Sequence, residues 1–247
     1  MSKVQNYQLY LTVPTRKAAK LLKFCYFILV LLLVSCGETK TKNTAETQQD
    51  LEQVKDTLVK NKATKTILCF GDSITAGYGL DDTNDAYTGV LQQRIDSLNL
   101  DYTVINSGVS GETTAGGKSR IDWVIKQKPT IFILELGAND GLRGVPITET
   151  QSNLQAIINV VKEKSPETTI ILAGMQLPPN MGQDYTAKFK TVFKDVAAQN
   201  NLKFIPFILE NVGGIASLNQ RDGIHPNKEG HKIVANNVWE VLKPLLL

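Results

Sequence analysis

The stretch TILCFGDSIT, residues 66–75, decides the fold. Its first five residues form an unbroken run without charge, which is the composition of a strand buried on both faces. A Gly-rich turn follows at once. Working outward, the same alternation recurs. Further strands are predicted at 102–106 (YTVIN), 130–136 (TIFILEL), 169–173 (TIILA) and, more weakly because Pro206 interrupts it, 203–208. Between them lie stretches with apolar residues at helical spacing. These are 85–98, 113–126, 148–164 (Leu154, Ile157, Ile158 and Val161 on one face), 184–200 and 228–246 (Val234, Val238, Val241, Leu242 and Leu245). Continuous apolar strands alternating with helices predict an α/β fold with a parallel sheet covered on both faces. Right-handed crossovers make it doubly wound. Ligands of such sheets bind at the carboxyl ends of the strands, so the residues just past each strand carry the functional argument.

Four such segments carry chemistry. After the first strand comes Gly71-Asp72-Ser73-Ile74-Thr75, where a serine one step past the strand can present its hydroxyl at the sheet edge. The same letters also suit a helix N-cap. After the second comes Ser107-Gly108-Val109-Ser110-Gly111-Glu112-Thr113, whose glycines allow a tight turn with backbone N–H groups facing a cleft. After the third comes Gly137-Ala138-Asn139-Asp140, in which the Asn139 amide can donate to a developing oxyanion. Near the C-terminus comes Asp222-Gly223-Ile224-His225-Pro226. The chain has only two histidines, His225 and His231. His231 lies within the last predicted helix and reads as packing. His225 lies in a turn three residues after an aspartate, a spacing that lets Asp222 hold Nδ1–H and leave Nε2 for Ser73.

The chain has 247 residues, enough for one α/β domain and an appendage. Its formal charge of +3 is set by the N-terminus, because residues 1–35 hold Lys3, Arg16, Lys17, Lys20 and Lys23 and no acid. The remainder is slightly acidic, which argues against a nucleic-acid partner. Cys25, Cys36 and Cys69 have neither disulfide-framework nor zinc-site spacing, and Cys69 reads as a core residue. The acidic loop Asp81, Asp82, Asn84 and Asp85 reads as solvated rather than as a metal site. The apolar run 24–34 is too short to span a bilayer, which needs roughly twenty residues. It follows a basic stretch, as in a secretory signal, and ends in Leu33-Val34-Ser35-Cys36, which resembles the bacterial lipobox. That resemblance implies an acylated Cys36 and an exported lipoprotein anchored on the periplasmic or outer side of a membrane. Residues 1–35 are then signal peptide, 36–65 a polar tether and 66–247 the folded body.

Taken together, the four segments resemble the GDSL-type or SGNH hydrolases over residues 66 to the C-terminus. The four letters map onto Ser73, Gly111, Asn139 and His225, and Asp222 matches the triad acid. Ile74 stands where the family usually has Leu. The sequences Gly71-Asp72-Ser73-Ile74-Thr75-Ala76-Gly77-Tyr78 and Leu136-Gly137-Ala138-Asn139-Asp140-Gly141-Leu142-Arg143-Gly144 are most similar to the bacterial arylesterase, lysophospholipase and acyl-CoA thioesterase branch. The resemblance implies a three-layer α/β/α flavodoxin-like sandwich with a five-stranded parallel sheet. It also implies a serine esterase with catalytic Ser73, His225 and Asp222, an oxyanion hole of Ser73, Gly111 and Asn139, and no metal or cofactor. The expected substrates are small acyl esters: short-to-medium acyl or aryl esters, lysophospholipids or thioesters. Leu142, Met175, Leu177 and Met181, on two post-strand loops, are expected to border an acyl groove. The rival readings are a carbohydrate O-deacetylase using the same residues and a non-catalytic binding lipoprotein.

Overall fold

The computed structural model describes residues 65–247. The expected signal peptide, Cys25, Cys36 and all of the expected tether but its last residue lie outside the described residues. That last residue, Lys65, opens the first strand.

The sheet consists of β1 (Lys65–Gly71), β2 (Tyr102–Gly108), β3 (Ile131–Glu135), β4 (Thr169–Ala173) and β5 (Lys203–Ile205). All neighbouring pairs are parallel, in the order β2-β1-β3-β4-β5. The burial of each strand follows from its place. Ile67 to Phe70 of β1 and all five residues of β3 are buried, because these strands are central and covered on both faces. Only Tyr102 of β2 and Ile205 of β5 are buried, because both strands lie at edges.

Seven helices are described. They are α1 (Ser73–Ala76), α2 (Tyr87–Ser97), α3 (Thr114–Val124), α4 (Ala138–Leu142), α5 (Ile147–Lys164), α6 (Gln183–Asn200) and α7 (Lys228–Leu246). α2 packs on α7, whereas α5 packs on both α3 and α6, which gives the two outer layers of the sandwich. α5 buries Leu154, Ile157, Ile158 and Val161, and α7 buries Val234, Val238 and Leu242. These belong to the faces expected from their spacing.

Three differences from the expected elements have local causes. β2 runs on through Ser107 and Gly108 because β1 offers pairing as far as Phe70 and Gly71. β5 stops at Ile205, one residue before Pro206, which cannot donate to a ladder. The short helix α4 stands where only a turn was expected, and α1 follows the cap that the letters GDS also allowed.

The strand order reverses between β1 and β3. From β1 the chain goes to β2 on one side, and from β3 it goes to β4 on the other. Connections leaving these two strands diverge and open a crevice at their carboxyl ends. Ser73 follows β1 and Asn139 follows β3, so the topology brings both to that crevice.

Candidate active site

The turn that carries Ser73 begins at Gly71. A Cβ there would lie 2.1 Å from Thr75 Oγ1 and 2.4 Å from Glu135 Oε2, so only glycine fits. Asp72 is the N-cap of α1, and its Oδ1 accepts the Ile74 N–H at 3.0 Å. The two roles that the letters GDS allowed thus fall on neighbours: Asp72 caps, and Ser73 starts the helix with its hydroxyl turned to His225. The Ser73 N–H belongs to the first helical turn, where backbone donors have no intrahelical partner.

His225 arrives from the loop between β5 and α7. The loop is pinned by the Gln220 N–H donating to the His225 carbonyl at 2.8 Å and by a bridge between Asn219 and Pro226. The His225 Nε2 lies 2.9 Å from Ser73 Oγ, and its Nδ1 lies 2.7 Å from Asp222 Oδ2. Asp222 Oδ1 accepts the N–H groups of Ile224 at 2.9 Å and His225 at 3.0 Å. Slight burial resists ionisation of Asp222. The His225 side chain, both backbone donors and the imidazolium charge outweigh it, and the carboxyl falls to about 2. The Tyr78 ring leans on the imidazole at a centroid distance of 4.7 Å.

The other histidine sits elsewhere. His231 is buried in α7, and its Nδ1 accepts the Tyr87 N–H at 3.2 Å. Burial, and then the nearby charge of His225, lower its pKa to about 4 against a weak opposing pull from Asp85. It anchors the start of α2.

Asn139 lies against the Ser73 turn through Asp72, and Gly111 stands one residue before Glu112, whose carbonyl Asn139 binds. Gly111 has φ of 79°, a left-handed conformation that glycine adopts without strain. Asn139, near the start of α4, has its Nδ2 3.1 Å from Asp72 Oδ2 and 3.1 Å from the Glu112 carbonyl. Its amide therefore ties the β1, β2 and β3 connections together. The loop 108–113 is further gripped by Arg120 of α3. Nε and Nη2 bind the Glu112 carboxylate at 2.6 and 2.5 Å, and Nη1 and Nη2 donate to Ser107 Oγ and O at 2.9 and 2.8 Å. Asp140 accepts the Thr114 N–H at 2.8 Å and caps α3 from outside.

Under the turn lie two buried carboxyl groups. Burial lifts Asp72 to about 6, although the Ile74 N–H, Asn139, the His225 charge and Ser73 pull it down. Glu135, fully buried at the end of β3, is pushed well above the carboxylate range by burial and then by the charge of Asp72.

A cavity of about 390 Å³ opens beside these groups. Ile74, Ala138 and Ile224 line it, and each is the immediate neighbour of Ser73, Asn139 or His225. Of the expected groove residues, Leu142, Met175 and Leu177 line the cavity and Met181 does not. The lining ends at Pro178, after which the chain enters the 3₁₀ turn Pro179–Met181. The opposite wall comes from the connection after β5, through Phe207, Leu209, Gly213 and Gly214. Sequence reasoning missed that wall, and also Glu135, Arg120 and Tyr78. The acidic loop is held by a local turn, with Asp82 Oδ1 accepting the Asn84 N–H at 2.8 Å, and by an ion pair to α7, with Asp85 2.9 Å from Lys228 Nζ. Cys69 is buried, and burial pushes its thiol up to about 12. That leaves it a poor nucleophile.

A hydroxyl next to a carboxylate-oriented imidazole, with donors beside it and an apolar cavity adjoining, is an arrangement suited to acyl transfer. Residues 69–233 match the GDSL-like Lipase/Acylhydrolase family. The chain belongs to that family. This SGNH hydrolase is 41% identical to the esterase TesA of Pseudomonas aeruginosa over 190 residues, 76% of this chain and 93% of that protein. It is 32% identical to thioesterase 1/protease 1/lysophospholipase L1 of Escherichia coli over 185 residues, 74% of this chain and 86% of that protein. A crystal structure of the psychrotrophic esterase EstA from Pseudoalteromonas, inhibited by monoethylphosphonate, superposes with a TM-score of 0.69 at 33% identity, over 74% of this chain and 98% of that one. The SGNH hydrolase described here is accordingly a serine esterase acting on carboxylic esters.

Proposed function

We propose that Ser73, His225 and Asp222 are the catalytic triad of this esterase. The observation that supports it most is the unbroken relay from Asp222 through His225 to Ser73, with contacts of 2.7 and 2.9 Å. His225 takes the Ser73 proton through Nε2 as Oγ attacks the acyl carbonyl. Asp222, held ionised, fixes the tautomer with the proton on Nδ1 and stabilises the cation. The tetrahedral oxyanion receives hydrogen bonds from the Ser73 N–H, the Gly111 N–H and the Asn139 amide, which turns from its resting acceptors toward the new charge. His225 then protonates the leaving alcohol or thiol. A water, deprotonated by the same imidazole, attacks the acyl-enzyme and frees the acid.

The acyl chain occupies the cavity beside Ile74 and Ile224, and short-to-medium acyl esters and lysophospholipids are the proposed substrates. Support comes from the apolar walls and from the lysophospholipase and thioesterase names of the Escherichia coli relative. Each buried methylene contributes ~0.8 kcal/mol, about fourfold in kcat/KM. A p-nitrophenyl ester series of rising chain length should climb at up to about that rate per methylene until the cavity is filled. Flat rates along the series, with acetate released from an acetylated glycan instead, would contradict the acyl-chain assignment in favour of an O-deacetylase.

Acylated Cys36 is proposed to hold the enzyme at a membrane, on the periplasmic or outer side. The support is the Leu33-Val34-Ser35-Cys36 string after its apolar run. A Cys36→Ala protein should then be soluble or remain unprocessed, and a wild-type protein already soluble after export would contradict the anchor.

A further inference from the structure

Glu135 takes no direct part in the mechanism above, yet it is the most deeply placed acid beneath it. It ends β3 in the run Ile131-Phe132-Ile133-Leu134-Glu135, in which every residue is buried. The other buried acids nearby have evident partners. Glu112 pairs with Arg120, and Asp140 holds the N-terminus of α3. Glu135 meets no cation among the described residues and faces a second carboxyl, Asp72. A carboxyl at such depth is unfavourable unless its hydrogen bonds matter.

Those bonds are specific. Oε2 accepts the Asp72 N–H at 3.2 Å and the Thr75 hydroxyl at 2.7 Å, and the Thr75 hydroxyl also lies 3.0 Å from Tyr87 OH. Oε1 makes no hydrogen bond among the described residues, so the polar contacts of the group gather at Oε2, and the Thr75 backbone N–H also turns toward the carboxyl. They grip the chain one residue before and two residues after Ser73. Asn139 follows Glu135 by four residues, and its amide returns to Asp72 Oδ2 at 3.1 Å. Asp72 is thus held by its backbone to Glu135 and by its side chain to Asn139. The contacts close a ring between the β1 and β3 connections. Gly71 completes the fit, since a Cβ there would strike Glu135 Oε2.

We propose that Glu135 is a positioning residue, whose buried carboxyl sets the place of the Ser73 turn relative to the Asn139 oxyanion donor. It touches neither substrate nor the reacting atoms. The inference rests on Ser73 being the nucleophile. Displacing reacting groups by about 1 Å can lower a rate ~10²-fold. Glu135→Leu leaves an apolar side chain of similar reach and removes the acceptor for the Asp72 and Thr75 donors. Its kcat should fall about 10²-fold with KM within about threefold, and the rate of Ser73 inactivation by a fluorophosphonate should fall in parallel. Glu135→Gln retains a carbonyl acceptor for both donors and should restore both rates to within about fivefold of wild type. A role in folding alone would lower the melting temperature without this split between kcat and KM or the rescue by glutamine.

If Glu135→Leu does not fold, Thr75→Val removes one of the two contacts and should lower kcat about tenfold at unchanged KM. Wild-type kcat and inactivation rate in Glu135→Leu, or in Thr75→Val if that variant is the one used, would overturn the proposal. So would a glutamine variant as slow as the leucine one. A wild-type protein inert to the fluorophosphonate would instead refute the assignment of Ser73 itself.

Discussion

Replacing Arg120 by methionine should damage stability through its lost pair with Glu112 and turnover through its lost ties to Ser107. The guanidinium lies 3.9 Å from the Phe70 ring centroid and binds Glu112 through both Nε and Nη2. The Glu112 side chain is 6% exposed and that of Arg120 is 20% exposed. Methionine keeps an apolar stem over Phe70 but leaves the Glu112 carboxylate without its counter-charge. Removing one partner of a buried pair costs ~3–5 kcal/mol. The partial exposure of Arg120 places this case at the lower end, about 3 kcal/mol. For a domain of this size that is a fall in melting temperature of ~6–12 °C. The loop carrying Gly111 also loses its ties to Ser107, so kcat should drop about tenfold. Adding Glu112→Leu removes the stranded charge and should recover most of the melting temperature, because an apolar pair often substitutes for a buried ion pair without loss. It should not recover kcat, since the Ser107 ties stay broken. Thermal melts and initial rates on a soluble ester measure both effects. A fall below about 2 °C in the single variant, or a double variant no more stable than the single one, would refute the reasoning.

Asn139→Ala removes one oxyanion donor and should lower kcat by ~10²–10³ with little change in KM, as steady-state kinetics would show. His231 gives a pH dependence of stability that is separate from catalysis. Burial and the charge of His225 hold it near 4 in the folded protein, below its ordinary value of 6.5. The unfolded chain takes up the proton first as pH falls. His231 therefore stabilises fully above about 6.5, and that contribution, up to roughly 3 kcal/mol, is lost between there and about 4. Guanidinium unfolding at pH 7 and at pH 4.5 should show a steeper loss in wild type than in His231→Gln, and equal losses would contradict the assignment.

Most of the sheet was legible because a parallel sheet writes itself as unbroken apolar runs. Residues 169–173 and 228–246 match β4 and α7 to the residue. α1 and α4 were illegible because four or five residues cannot display a 3.6-residue period. Ser73, Gly111, Asn139 and His225 could be singled out because chemistry at strand ends needs particular side chains, and a chain with two histidines offers few bases. Glu135 was hidden inside TIFILEL, where the letters show an acid in a strand but not the two donors above it. Arg120 was hidden in the same way, since its partners Ser107 and Glu112 lie back on β2 and the loop before α3, at spacings that no helical period pairs. The cavity wall at Phe207 and Leu209 depends on how the β5 connection folds back across the crevice, which no local pattern records. Met181 was expected at the groove through its closeness in sequence to Leu177 and Pro178, and the 3₁₀ turn separates it from the lining.

The central claim is that Ser73 is the nucleophile activated by His225. Treating the protein with a fluorophosphonate and mapping the adduct by mass spectrometry tests it most directly, with Ser73→Ala and His225→Ala alongside. The account predicts one adduct, on Ser73, in wild type. It predicts none in Ser73→Ala, strongly slowed labelling in His225→Ala, and ester hydrolysis reduced by at least about 10³-fold in both folded variants. An adduct on another residue, or hydrolysis at the wild-type rate by Ser73→Ala, would contradict it.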